Sequence, residues 1–98
     1  MKVLLMENNL ILLSRIRSSL AEHEVRSGND YRGEEVVLVN LEQFPVETVK
    51  TLKDCGAKVI AYCGHKRTDL MEKAKGLGAD MVVPNSQIIR AGSLLHML

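Results

Sequence analysis

The chain has 98 residues, enough for one core and too few for two, and it is read as a single domain spanning 1–98. Lys and Arg number 13 against 12 Asp and Glu, a balance that excludes the polybasic surface needed to hold nucleic acid or an anionic membrane. The hydrophobic share is 46% with only 3% aromatic residues, so the core must be packed from aliphatic side chains.

In chain order, Lys2 to Met6 is a short apolar run without alternation, the pattern of a strand buried on both faces of a parallel sheet. Asn8 and Asn9 are good helix caps, and Leu10, Leu13, Ile16 and Leu20 then recur at helical spacing, predicting a helix to about His23. Between Glu24 and Glu35 one short apolar element around Val25 is followed by Ser27, Gly28, Asn29, Asp30 and Gly33. These are turn formers, and a full helix is not expected there.

Glu35-Val36-Val37-Leu38-Val39-Asn40 is the clearest strand, rich in β-branched residues and ending on a polar one. Pro45 suits the first turn of a helix that carries Val46, Val49 and Leu52 on one face and ends at Gly56. Lys58 to Tyr62 is another buried strand, with Cys63-Gly64-His65 as its turn. Thr68 or Asp69 begins the next helix, where Asp69 and Glu72 have capping-box spacing, and Gly78 ends it. Ala79 to Val83 is a fifth strand, interrupted by Pro84. Asn85 or Ser86 then caps one last helix carrying Ile88, Ile89, Leu94, Leu95 and Met97.

Strands alternating with helices imply right-handed crossovers and a parallel sheet covered on both faces. For five strands the expected architecture is the flavodoxin-like, doubly wound α/β sheet of order 2-1-3-4-5, with its second helix shortened or missing. Ligands of such sheets lie beyond the carboxyl ends of the strands, which here are Glu7/Asn8, Asn40/Leu41, Cys63/Gly64 and Pro84/Asn85.

The stretch Ala57 to Gln87, AKVIAYCGHKRTDLMEKAKGLGADMVVPNSQ, resembles the second half of a response-regulator receiver (CheY-like) domain. Gly78-Ala79-Asp80 matches the turn before the family's fifth strand, and Val36 to Leu41 is similar to the strand that carries its phosphorylated Asp. The resemblance implies a signalling module, but every functional position departs from the pattern. Glu7-Asn8 stand where the family has an acidic pair, Asn40 replaces the phospho-acceptor Asp, Cys63 the Thr or Ser, and Asn85 the Lys. Phosphoryl transfer of this kind needs clustered carboxylate oxygens for Mg²⁺ and a carboxylate nucleophile. An amide at Asn40 supplies neither, so the resemblance implies a degenerate pseudo-receiver: no enzyme, without metal or cofactor, acting through protein recognition. The alternative is a small-ligand or anion binder using the same rim.

Each candidate also has a plainer reading. Glu7 and Asn8 are expected first as solvated residues at the head of the first helix, and Asn40 is divided evenly between a ligand-binding amide and a loop residue bonded to local backbone. Cys63 is expected to be an unreactive small residue, because no resolving Cys is near. Cys55 and Cys63 would lie near opposite ends of one strand, roughly 20 Å apart, and cannot pair. His65, Lys66 and Arg67 form a short basic cluster that could hold an anion with free backbone N–H groups, although a solvated loop is favoured.

No run approaches the roughly 18 apolar residues of a membrane span, and MKVLLMENN lacks both a long apolar region and a cleavage site. A cytoplasmic protein without membrane or nucleic-acid partners is expected. Domains of this size bury little more than about 60% of their unfolded surface. The apolar Met71, Leu94, Leu95 and Met97 are more than one sheet face needs, and they are expected to form a homodimer contact.

Overall fold

The computed structural model describes residues 1–98. Its elements run β1 (Lys2–Met6), α1 (Leu10–Ser19), β2 (Glu24–Ser27), β3 (Val36–Asn40), α2 (Thr48–Asp54), β4 (Lys58–Cys63), α3 (Thr68–Gly76), β5 (Met81–Pro84), α4 (Asn85–Ile88) and α5 (Ala91–Leu95). All strand pairings are parallel, in the order β2-β1-β3-β4-β5. The expected flavodoxin-like sheet is therefore present. No helix is long and apolar enough to cross a membrane.

Strand alternation divides the core into two layers. On one face Val3, Leu5, Val36, Leu38, Ile60 and Tyr62 pack with Ile16 and Leu20 of the α1 region and with Ile88, Ala91, Leu94 and Leu95. On the other, Leu4, Met6, Val37, Val39, Val59, Ala61 and Cys63 pack with Val49 and Leu52 of α2 and Ala74 of α3. The middle strand β3 is buried along its whole length, which accounts for its unbroken apolar run.

Local signals set the element ends. Asn9 caps α1, its Oδ1 accepting the N–H groups of Ile11 and Leu12 at 3.0 Å each. Gly56 and Gly78 follow α2 and α3 with φ of +90° and +99°, a left-handed conformation that only glycine adopts without strain. Three expectations need correction. The capping box at Asp69 and Glu72 does not form: Arg67 is the N-cap, without a side-chain cap bond, and Asp69 is engaged by the Arg67 guanidinium instead. The first helix stops at Ser19, where Leu20 leaves helical geometry with φ −112° and ψ 24° and its N–H turns back to the Arg17 carbonyl. The last helix is two short ones, α4 and α5, and Gly92 within α5 lets that helix sit close on α1. A Cβ on Gly92 would lie 2.3 Å from the Ser19 carbonyl oxygen.

The dimer surface is corrected by the same packing. Leu94 and Leu95 are 8% and 6% exposed and belong to the core, and Met71 is packed against the opposite layer. Of the four residues only Met97, at 72% exposure, stands free. The apolar surplus at the C-terminus is largely the covering of one sheet face.

The link from β2 to β3 crosses β1 in the eight residues 28–35. Parallel crossovers that carry a helix need about a dozen residues or more, so no helix fits, as the turn-forming composition implies. An ordered strap takes its place. The Arg26 Nε donates to Glu34 Oε2 at 2.7 Å and its Nη2 to the Asp30 carbonyl at 2.6 Å. Glu34 Oε1 accepts the Arg32 N–H at 2.9 Å, and the Tyr31 hydroxyl donates to the Glu34 carbonyl at 3.0 Å.

The Arg26 hydrogen bond, opposed by burial and aided by the Arg32 N–H, holds the Glu34 carboxyl down at about 2, from 4.5. A depressed carboxylate adds stability above its unfolded pKa and loses it as pH falls through the folded one. We predict that the chain loses stability progressively between about pH 4.5 and 2, and that Glu34→Gln flattens this part of the profile. The variant should cost on the order of 2 kcal/mol at neutral pH, as for a hydrogen bond to a charged group. Urea denaturation as a function of pH measures both effects.

Candidate functional site

Parallel strands deliver their carboxyl ends to one rim, and the register pairs Met6 with Val39, Asn40 with Tyr62, and Cys63 with Pro84. Glu7 follows β1 directly and meets Asn40 at the end of β3. Its carboxylate is 5% exposed and receives a hydrogen bond from each of four groups. Oε1 accepts the Asn40 Nδ2 at 2.8 Å and the Tyr62 hydroxyl at 2.9 Å. Oε2 accepts the Gln43 Nε2 at 2.6 Å and the Asn9 N–H at 2.9 Å. No cation takes part. Two donors on each oxygen compensate the lost water of a buried charge.

The amides that serve Glu7 are themselves fixed. Asn40 Oδ1 accepts the Glu42 N–H at 2.9 Å, and Gln43 Oε1 accepts the Asn8 N–H at 2.7 Å. Gln43 thus ties the loop after β3 to the loop after β1. Burial, and then the facing Glu7 carboxylate, push the Tyr62 phenol far above its usual range, because ionisation would place two negative charges together.

Of the rim residues singled out by sequence, only Glu7 and Asn40 are brought together. Glu7 is not a solvated residue at the head of α1; that capping role belongs to Asn9. Asn8 is exposed and joins only through its backbone. Cys63 lies one residue beyond Tyr62 and so on the other sheet face. Its buried thiol donates to the Arg67 carbonyl at 3.7 Å, and burial followed by the nearby Glu42 raises its pKa, the opposite of what a reactive thiol requires. Both cysteines are free, Cys55 exposed and Cys63 buried. Asn85 makes no hydrogen bond with this cluster, and its buried Oδ1 has no partner.

The basic turn is largely occupied from within. Glu42 Oε2 accepts the Gly64 N–H at 2.8 Å, and its Oε1 lies 3.9 Å from the Arg67 guanidinium. Arg67 also forks onto Asp69 at 3.2 and 3.3 Å. His65 and Lys66 are exposed. The seat that an outside anion would take at Gly64 and Arg67 holds the Glu42 carboxylate.

Tyr62, Gln43 and Glu42 were not apparent from the sequence. Tyr62 reads as an ordinary strand residue until the register sets it beside Asn40. Gln43 and Glu42 lie in a loop without periodicity, and nothing short of the fold points to them. The Gly78-Ala79-Asp80 motif has a structural use: Asp80 Oδ2 accepts the Val59 N–H at 2.8 Å and the Lys53 ammonium at 2.7 Å, joining the end of α2 to the start of β4.

No family model and no curated protein matches the sequence. Solved structures match its fold along nearly the whole chain. A response regulator from Thermotoga maritima superposes with a TM-score of 0.82 at 11% identity, covering 98% of this chain and 94% of that one. An orphan response regulator of H. pylori gives 0.82 at 18% identity, covering 99% and 94%. A LuxR-family DNA-binding response regulator from Staphylococcus aureus gives 0.79 at 19% identity, covering 98% and 96%. The fold is that of response-regulator receiver domains.

Receivers are expected to use Mg²⁺, and the donors present do not suit it. The ion needs several oxygens in octahedral array. Here Glu7 is the one carboxylate in the cluster, both its oxygens are engaged twice, and the nearest side chains present amide and phenol protons. No group of three His, Cys, Asp or Glu side chains anywhere in the structure is placed to hold a metal.

Tyr62→Phe deletes one of the four donors to a buried charge, and we predict a loss of about 1.5–3 kcal/mol by chemical denaturation. The linkage has the opposite sign to that of Glu34. A raised phenol pKa gives stability that is intact below the ordinary value of 10.0 and declines as pH rises above it. Tyr31→Phe leaves Tyr62 as the only phenol, so its absorbance should follow alkaline unfolding. A phenol that ionises while circular dichroism stays native would contradict the burial.

Proposed function

We propose that this chain is a signalling module of receiver fold that works without phosphoryl transfer, through recognition of a protein partner or a second copy of itself. The observation that carries the reading is the state of Glu7. Where a working receiver needs free carboxylate oxygens for a cation, this chain has one carboxylate, buried and saturated by Asn40, Gln43, Tyr62 and the Asn9 N–H. The residue at the acceptor position is Asn40, whose amide nitrogen is a poor nucleophile and is turned towards Glu7.

Closing the pocket also removes the usual reason for the rim to move. A cluster in which every member is hydrogen-bonded is rigid, and Gln43 extends that rigidity across two loops. The module therefore offers a partner a constant surface, with its activity set by abundance and by partner binding.

The test is exposure to acetyl phosphate, or to beryllofluoride, with Mg²⁺. We expect no phosphoryl adduct by mass spectrometry and no Mg²⁺-dependent change in the amide NMR spectrum. Asn40→Asp alone should stay inert, because it faces Glu7 without a metal and loses the amide donor. A stable adduct on the natural chain, or a saturable Mg²⁺ response, would overturn the reading.

A further inference from the structure

The largest cleft in the molecule lies at the opposite end of the sheet from Glu7, between the end of α1 and the α4–α5 corner, with a volume of about 530 Å³. Its floor is the close approach of α5 to α1 at Gly92 and Ser19. Around it stand Ser18, Glu22, His23, Arg90, Ser93 and His96. No hydrogen bond or ion pair joins any of these six side chains to another.

Arg17, Arg26, Arg32 and Arg67 each hold a carboxylate, carbonyl or hydroxyl of the chain. Arg15 and Arg90 hold none, and of these two only Arg90 lines the cleft, where the His23 Nδ1 is also buried without a partner. The lining is too polar for an apolar ligand, and one carboxylate is too few for a cation. One guanidinium, the N–H groups of two imidazoles and the serine hydroxyls are together the donor set that suits a tetrahedral oxyanion.

We propose that this cleft binds a small phosphate monoester. Arg90 supplies the fixed positive charge, His23 and His96 supply N–H donors, and Ser18 and Ser93 complete the shell of the phosphate. The cleft lies within the usual size range of small-molecule sites and has more room than a bare oxyanion fills. Glu22, repelled by the phosphate, is placed to accept hydrogen bonds from hydroxyls on the remainder of the ligand. The site is separate from the closed rim and stands whether or not the chain accepts a phosphoryl group.

The test is an amide NMR titration of the full chain with inorganic phosphate and with glycerol 3-phosphate, each against sodium chloride of equal ionic strength. We expect saturable shifts confined to residues 18–23 and 89–96, tighter binding of the monoester than of inorganic phosphate, and no such response to chloride. Arg90 is exposed, so Arg90→Ala should keep the native spectrum. Its monoester affinity should fall by about tenfold, the loss expected for one charge-assisted hydrogen bond. His23→Gln should also weaken binding. Shifts that never saturate, shifts reproduced by chloride, or an Arg90→Ala variant that binds unchanged would overturn the site. Equal affinity for phosphate and monoester would overturn the ligand class.

Discussion

A carboxylate taken out of water without a cation must be satisfied entirely by hydrogen-bond donors, and Glu7 imposes that demand on the whole rim. Meeting it requires the Asn40 amide from β3, the Tyr62 hydroxyl from β4, the Gln43 amide from the following loop and the Asn9 N–H ahead of α1. The parallel register sets the first two in place, and Gln43 closes the group by also accepting the Asn8 N–H. Removing any donor leaves a buried charge short of partners, which costs far more than an ordinary surface hydrogen bond. The same constraint leaves the pocket without free oxygens for a cation.

The sheet was legible because its signals are redundant. Unbroken apolar runs at Lys2–Met6, Val36–Asn40 and Lys58–Cys63, with helical spacing between them, admit few topologies other than the one observed. That Glu7 and Asn40 belong to one rim follows from strands that all point the same way. Their direct contact, and the part played by Tyr62, depend on register and on which face each residue takes, and a one-residue step decides both. Tyr62 and Cys63 are neighbours in sequence and lie on opposite faces, so the thiol that looked like a rim residue sits in the other layer. Leu94 and Leu95 mislead for a related reason. A small domain needs the apolar residues of α4 and α5 to finish its core, and such residues read the same whether they cover a sheet or a partner.

The strap of residues 28–35 shows how a small fold spends polar groups on packing. With no room for a helix, the second layer is covered beside β1 by Tyr31 and by the ion pair of Arg26 and Glu34, which holds the crossing in one conformation. Buried carboxylates thus fasten both ends of the β1 region, Glu34 with an arginine and Glu7 with neutral donors only. The difference has a chemical consequence. An arginine would compete with any cation for Glu7 while leaving lone pairs to spare, whereas amide, hydroxyl and backbone donors use all of them. At the other end of the sheet the α1–α5 cleft presents the reverse situation, polar groups without internal partners, and there the fold has capacity to bind.

The most direct test of this account is to observe the Tyr62 hydroxyl proton itself by NMR in water. If the phenol is buried and bonded to Glu7 as described, its proton exchanges slowly enough to give a resolved downfield resonance. That resonance shows a cross-relaxation peak to the Asn40 side-chain amide, persists when millimolar Mg²⁺ is added, and is absent in Tyr62→Phe. A hydroxyl proton lost to rapid solvent exchange, or one that disappears on addition of Mg²⁺, would mean that the pocket opens to water and metal, and the account of a closed rim would be wrong.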